Sequence, residues 1–218
     1  NNPGKETMSL SLKMPNSVTT ICKDGLRDSW SSEKQQKGCI TNYNYDGDKT
    51  YTDKYKIINI DFSSAENLTT IGEQAAMGIP LEGVLDLSNT KVETIGKNAF
   101  KECTGITGVI LPSTLKNIGS TSNGSVFFGC SNMQFVRTAG GNPEIAFELP
   151  ENLEVLGRQS FYKCTGLPEN TTVIIPASVT HVGSEVFNYT PSITTITVKT
   201  DDASNYDGKA FSDSTNKY

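Results

Sequence analysis

The sequence predicts a solenoid: a curved right-handed coil of near-equivalent turns, β-dominated within the α/β repeat class. Its parallel sheet is expected on the concave face and short helical turns on the convex face. Three observations predict it. An Ile-Gly pair recurs as Ile71-Gly72, Ile95-Gly96, Ile118-Gly119, Leu156-Gly157 and Val182-Gly183, with steps of 24, 23, 38 and 26 residues between glycines. Downstream of it an aromatic and a cysteine stand three apart, as Phe100/Cys103, Phe127/Cys130 and Phe161/Cys164. An apolar run closed by proline follows, as Val109-Ile110-Leu111-Pro112, Phe147-Glu148-Leu149-Pro150 and Val173-Ile174-Ile175-Pro176. A period in the twenties marks one supersecondary unit stacked many times.

Each part of the unit has a physical reason. Residues three apart share a helix face, so Phe100 and Cys103 are expected to point inward while Lys97, Lys101 and Glu102 stay wet. Cys103-Thr104-Gly105 reads as the helix stop, because glycine accepts the left-handed conformation, and Asn132 and Gly166 fill the sister slots. Alternation then puts Val109 and Leu111 on the core side of a strand and Ile110 on the other side. Proline belongs at the strand end, since inside a sheet it removes a ladder bond. One unit cannot cover its own apolar face, but its neighbours can, and each buried aromatic contributes about 1.5–3 kcal/mol. Phe100, Phe127, Phe161 and Phe187 are therefore expected to stack in register within one interior.

The pattern I-G-x-x-A-F-x-x-C-x-x-L-x-x-V-x-L-P resembles the leucine-rich repeat of BspA-like bacterial surface proteins, over about Ile57 to Phe211. The resemblance implies a leucine-rich-repeat solenoid displayed outside the cell, with roles in adhesion or protein binding. Two units depart from the pattern, Ala76 replacing the aromatic and Thr190-Pro191 the Cys-x turn, and looser packing is expected there.

About six to eight units in a single domain, residues 1–218, are expected. Residues 1–56 form a degenerate N-terminal unit or cap with an insertion, 57–211 the regular repeats and 212–218 a polar tail. Leu12-Lys13-Met14-Pro15, then Val18 and Ile21, copies the strand-Pro phrase, and Cys22 takes the glycine slot. Trp30 reads as a core anchor of the cap, the alternative being an exposed binding aromatic. The unit after Gly119 is enlarged twice, by Ser120 to Ser125 and by Arg137 to Glu144. Both are rich in turn residues and read as surface loops, candidates for a shared protrusion.

A net charge of −5 argues against nucleic acid or an anionic membrane as partner. No apolar run approaches the length of a membrane span. The opening NNPGKETMSL lacks the pattern of a signal peptide, as expected of a mature or trimmed segment.

Candidate chemistry is sparse. Cys103, Cys130 and Cys164 share a core slot and are expected to be free thiols acting as small hydrophobes. Cys22 and Cys39 lie outside that slot and either bridge or remain free. His181, the single histidine, falls on an outward position with no visible partner for a triad. Asp46-Gly47-Asp48 and Asp201-Asp202 through Asp207-Gly208 lack the ligand spacing of calcium loops and read as turns. No metal or cofactor is expected.

The outward mid-strand column is Lys13, Asp61, Asp86, Ile110, Glu148, Ile174 and Thr197. Neighbouring strands lie about 4.8 Å apart, so Asp61 and Asp86 are expected side by side, either to bind a cation, to work as a glycosidase pair, or simply to be solvated beside Lys13 and Lys91. Exposed Ile110 and Ile174 have no folding reason on an open sheet, whereas a contact surface would want them, unless a loop covers them. The candidate binding face is thus Asp61, Asp86, Ile110, Glu148, Ile174 and Thr197. The expected role is a non-enzymatic, monomeric, extracellular module on a bacterial surface that binds a host or matrix protein or a surface glycan. The rivals are a glycan hydrolase acting through Asp61, Asp86 and Glu148, and a passive spacer.

Overall fold

In a computed structural model of the chain, residues 8–26 and 55–212 are described. The expectations for Trp30, Cys39 and Asp46-Gly47-Asp48 lie outside the described residues. In chain order the strands are β1 (Met8–Lys13), β2 (Thr20–Ile21), β3 (Tyr55–Asp61), β4 (Thr70–Ile71), β5 (Gly83–Asp86), β6 (Thr94–Ile95) and β7 (Ile106–Leu111). They continue with β8 (Asn117–Ile118), β9 (Phe135–Thr138), β10 (Val155–Leu156), β11 (Thr171–Ile175), β12 (His181–Val182) and β13 (Ile193–Val198). Among the described residues all strand pairs are parallel, as a coil that returns in the same direction requires.

Two ladders run along the coil rather than the one sheet expected. The short strands, which carry the recurring Ile-Gly pair, join as β2-β4-β6-β8-β10-β12. The long strands fall into three groups, β1-β3, β5-β7-β9 and β11-β13. Between β3 and β5 no ladder is registered, and Glu82 N, just before β5, donates across to Ile58 O at 2.7 Å.

The expected helical turns are replaced. Among the described residues no helix forms, yet Phe100 and Cys103 do point inward and are fully buried. The stretch is a run of tight turns, with Ala99 N donating to Gly96 O (3.2 Å), Lys101 N to Asn98 O (3.1 Å) and Cys103 N to Phe100 O (3.2 Å). The alternate amides leave the coil altogether: Asn98 N donates to Gly124 O, Phe100 N to Val126 O and Glu102 N to Phe128 O, at 2.7–2.9 Å. A helix would spend those amides on its own carbonyls. Here the next coil offers carbonyls at sheet-like distance, and residues with φ near +55° aim the amides at them, as at Gln74, Asn98, Gln159 and Glu185.

The interior matches the expectation of stacked rings. Phe100 and Phe127 lie 5.6 Å apart at 5°, Phe127 and Phe161 5.4 Å at 20°, and Phe161 and Phe187 5.9 Å at 17°. Phe211 continues the stack at 6.4 Å. Such offset stacking adds to the burial of each ring.

The cysteine slot does more than fill space. Each thiol donates to the carbonyl of the aromatic slot one coil back: Cys103 Sγ to Ala76 O (3.0 Å), Cys130 Sγ to Phe100 O (3.2 Å) and Cys164 Sγ to Phe127 O (3.3 Å). Thr190, which replaces the cysteine, does the same through its hydroxyl, to Phe161 O at 2.9 Å. It is buried, so this unit is not the looser one that the substitution suggested. Cys22 is an exposed free thiol.

Burial pushes the Cys103 and Cys164 thiols up to about 12, from an ordinary value of 9.0. It pushes Cys130 well up too, with its two neighbouring thiols adding to the effect. The folded chain thus keeps protons that the unfolded chain has released, and stability falls as pH rises from about 9 towards 12. Over that window each thiol costs up to about 1.4 kcal/mol per pH unit. Thermal unfolding followed against pH under reducing conditions should show a shallower alkaline decline for Cys164→Ala than for the parent chain. Parallel profiles would refute the assignment.

Candidate functional site

The long strands place the candidate residues, because alternate side chains of a strand leave the core. In β7, Val109 and Leu111 are buried while Ile110 is half-buried on the outer side. The ladder sets what stands beside it: Asp86 of β5 pairs with Ile110, and Ile110 pairs with Arg137 of β9. The next segment adds Glu148, since Val136 bridges Phe147 and Glu148 N donates to Val136 O at 2.8 Å. The outer face therefore shows a continuous row, Asp86, Ile110, Arg137, Glu148. Two residues back along the same strands, on the same face, lie Val84, Gly108, Phe135 and Ala146.

Arg137 and Phe135 are the residues that sequence reasoning missed. Arg137 was read as the start of a loop because RTAGGNPE is rich in turn residues. A signal was available: Cys130, Met133 and Val136 repeat the spacing of Cys103, Ile106 and Val109, so the rung resumes in frame before the loop. The enlarged unit thus lays down an extra rung, β9, and returns as a second one at Phe147.

The two carboxylates expected side by side each serve a turn of their own. β3 and β5 form no registered ladder, and Asp61 stands beside Lys13. Asp61 Oδ1 accepts from Ser63 N at 2.8 Å, and Asp86 Oδ1 from Ser88 N at 2.9 Å, so each closes its own strand-end turn. Hydrogen bonds from the Ser63 hydroxyl and amide hold the Asp61 carboxyl below the usual carboxylate range. Asp86 and Glu148 are three ladder steps apart, about 14 Å, beyond the ~5–9.5 Å of glycosidase pairs. Glu148 accepts from the Thr138 hydroxyl and, at 3.4 Å, from the Thr138 amide.

Ile174 and Thr197 pair with each other on the separate β11-β13 ladder, both exposed. The two insertions attach to different parts of the coil. The loop at 120–125 sits beside the short strands, where Arg158 N donates to Ser120 O at 3.1 Å, while the second insertion is closed at its base on the long-strand side, where Arg137 Nε donates to the carbonyl of Ile145, the residue that follows it, at 3.3 Å. Among the described residues no hydrogen bond joins the two. His181 is exposed on β12, its Nδ1 2.9 Å from Thr180 Oγ1. Asp202 Oδ1 accepts from Ser204 N and Asp207 Oδ1 from Lys209 N, so these carboxylates also serve turns.

A second aromatic surface lies on the turn side. Phe128 and Tyr162 stack at 4.6 Å and 7°, and Tyr189 follows at 5.1 Å. Lys101 caps Phe128 at 4.7 Å, and Lys163 lies within 5.7 Å of both tyrosine rings. The Phe128 and Tyr162 faces are spent on one another, which clamps the two coils together, while Tyr189 stands tilted at 59° and 45% exposed at the end of the ladder.

Residues 84–141 and 142–217 match a family model described as a BspA type leucine rich repeat region, in six copies. No curated protein matches the sequence. Among solved structures the chain is similar to a leucine rich repeat protein of T. pallidum, with 16% identity and a TM-score of 0.56 over 90% of this chain and 72% of that one. A leucine-rich repeat protein from Bacteroides ovatus follows at 16% identity and a TM-score of 0.44, over 87% of this chain and 44% of that one. A leucine rich cell surface protein from Faecalibacterium prausnitzii gives 14% and 0.34, over 88% and 60%. The first of these shares the fold. Among the described residues no helix is long and apolar enough to cross a membrane.

Proposed function

Because this chain belongs to the BspA type leucine-rich repeat family, we propose that it is a non-enzymatic interaction module of a bacterial cell surface. It holds a protein or glycan partner by the long-strand face, the inner curve of the coil, with the loop at 139–144 beside it. The observation behind this reading is the row Asp86, Ile110, Arg137 and Glu148 on one backbone ladder, with exposed Val84 and Ile145 around it. Apolar side chains left uncovered on a sheet cost solubility and serve contact. A stacked coil supplies extended surface of this kind rather than an enclosed pocket. The carboxylate spacing does not favour the hydrolase alternative. Display outside the cell is what the family resemblance supports.

The test displays the chain on beads and measures retention on panels of host matrix proteins and surface glycans. Ile110→Asp is expected to weaken the best interaction by about tenfold. Lys116→Ala, on the short-strand side with its salt bridge to Glu93 at 3.1 Å, should leave it unchanged. Retention that survives Ile110→Asp, or that Lys116→Ala removes, would place the contact elsewhere.

A further inference from the structure

We propose that Arg137, clamped over Phe135 in the middle of the long-strand face, is a carboxylate anchor that seats one acidic residue of a protein partner among apolar neighbours. The inference rests on that face being the contact surface, and deepens it.

The clamp has three parts. Phe135 lies across Gly108 of the neighbouring strand, where an added Cβ would come within 2.2 Å of the ring. Glycine is thus what lets the ring lie down on the β7 backbone. The Arg137 guanidinium carbon sits 4.2 Å from the centroid of that ring. Its Nε donates to Ile145 O at 3.3 Å. Ring, carbonyl and strand together fix the long side chain, so little rotamer freedom is left to lose on binding.

No carboxylate among the described residues pairs with the charge so fixed. Among the described residues the ion pairs lie elsewhere: Lys23 and Lys97 with Glu73, Lys101 with Glu102, Lys116 with Glu93, Arg158 with Glu185 and Lys199 with Glu151. Glu148, the neighbour of Arg137 in the row, turns to Thr138 instead. An oriented guanidinium with its terminal nitrogens unpaired matches the two oxygens of a carboxylate.

The surroundings favour a protein over a glycan. Both faces of the Phe135 ring are occupied, by the Gly108 backbone and by the guanidinium, so a sugar has no face to stack on. A polyanionic glycan would want several cations in line, whereas the row beside Arg137 holds Ile110 and Asp86 on one side and Glu148 on the other. Exposed Val84 and Ile145 complete an apolar border. One acidic side chain with apolar flanks fits that pattern.

The experiment titrates the isotope-labelled chain with acetyl-Leu-Glu-Leu-amide, acetyl-Leu-Gln-Leu-amide and glucuronate. It follows the Arg137 Nε–H resonance and the methyl groups of Val84 and Ile110 by NMR. Saturable shifts with the glutamate peptide are expected, at least about tenfold weaker with the glutamine peptide and with the Arg137→Met chain. Arg137→Lys, which keeps the charge but loses the fork and the stacking, should not restore the response. Equal binding of the two peptides, an unchanged response in Arg137→Met, or glucuronate binding as well as the glutamate peptide would each overturn the proposal. If bead retention falls in Ile110→Asp but not in Arg137→Met, the contact face stands and the anchor falls.

Discussion

Phe127→Ala is expected to destabilise the chain by about 4 kcal/mol, the upper range for losing a buried ring. Phe127 is fully buried between Phe100 at 5.6 Å and Phe161 at 5.4 Å, and the carbonyl of its own residue accepts the Cys164 thiol. In a stacked coil stability is close to a sum of unit terms and nearest-neighbour interfaces. Removing a middle ring opens a cavity that touches two interfaces at once. Phe211, half-buried, meets one stacked ring, Phe187 at 6.4 Å, and Phe211→Ala should cost less than half as much. Urea unfolding followed by circular dichroism compares the two variants. Equal losses would mean that the stack is not a cooperative spine.

Gly96→Ala is expected to cost about 3 kcal/mol, while Cys22→Ala, at the same place in the repeat, should stay within about 0.5 kcal/mol of the parent. A Cβ on Gly96 would lie 2.6 Å from Glu73 N and 2.7 Å from Gly72 C. Those atoms are backbone of the adjoining coil, which Gly96 N grips through Ile71 O at 2.7 Å, so they cannot step aside. The same geometry recurs upward: Cβ atoms on Gly72, Gly157 and Gly183 would meet backbone of the coil before them at 2.4–2.7 Å. Cys22 is the exception that explains the rule. It belongs to the first described coil and its side chain is exposed, so a Cβ is tolerated there, as it is at the far end of the stack, where Asp207 takes the slot and donates its N to Val182 O at 2.8 Å. Denaturant midpoints of the two variants decide the matter. Indifference at Gly96 would show that the coils part easily.

Side-chain slots were legible because each recurs with the same chemistry. The aromatic, the cysteine, the isoleucine before glycine and the alternate, inward strand residues before proline are buried where the period placed them, as with Phe161, Cys164, Leu156 and Val173. Even the exception at Thr190 keeps the slot, by keeping a small donor. The turn-side backbone was not legible. Phe100 and Cys103, three apart, point inward from a helix and from a run of turns alike, so the spacing could not choose between them. The candidate face was half legible. Asp86, Ile110 and Glu148 do stand in one row, but Arg137 stands between them, hidden by the loop-like residues that follow it. Asp61 and Asp86 were legible as outward carboxylates and illegible as turn closers, because the serine amides that hold them are a matter of local geometry.

The chain alone determined which residues are inside, since burial follows from apolar character repeated at a fixed period and is indifferent to the path of the backbone. Only the tertiary structure decided where the backbone amides go and which outward residues become neighbours. Their partners sit on the neighbouring rung, at sequence separations from 11 residues (Arg137 and Glu148) to 51 (Gly72 N and Ile21 O), and the register that brings them together is set by the stacking of whole coils rather than by any local pattern.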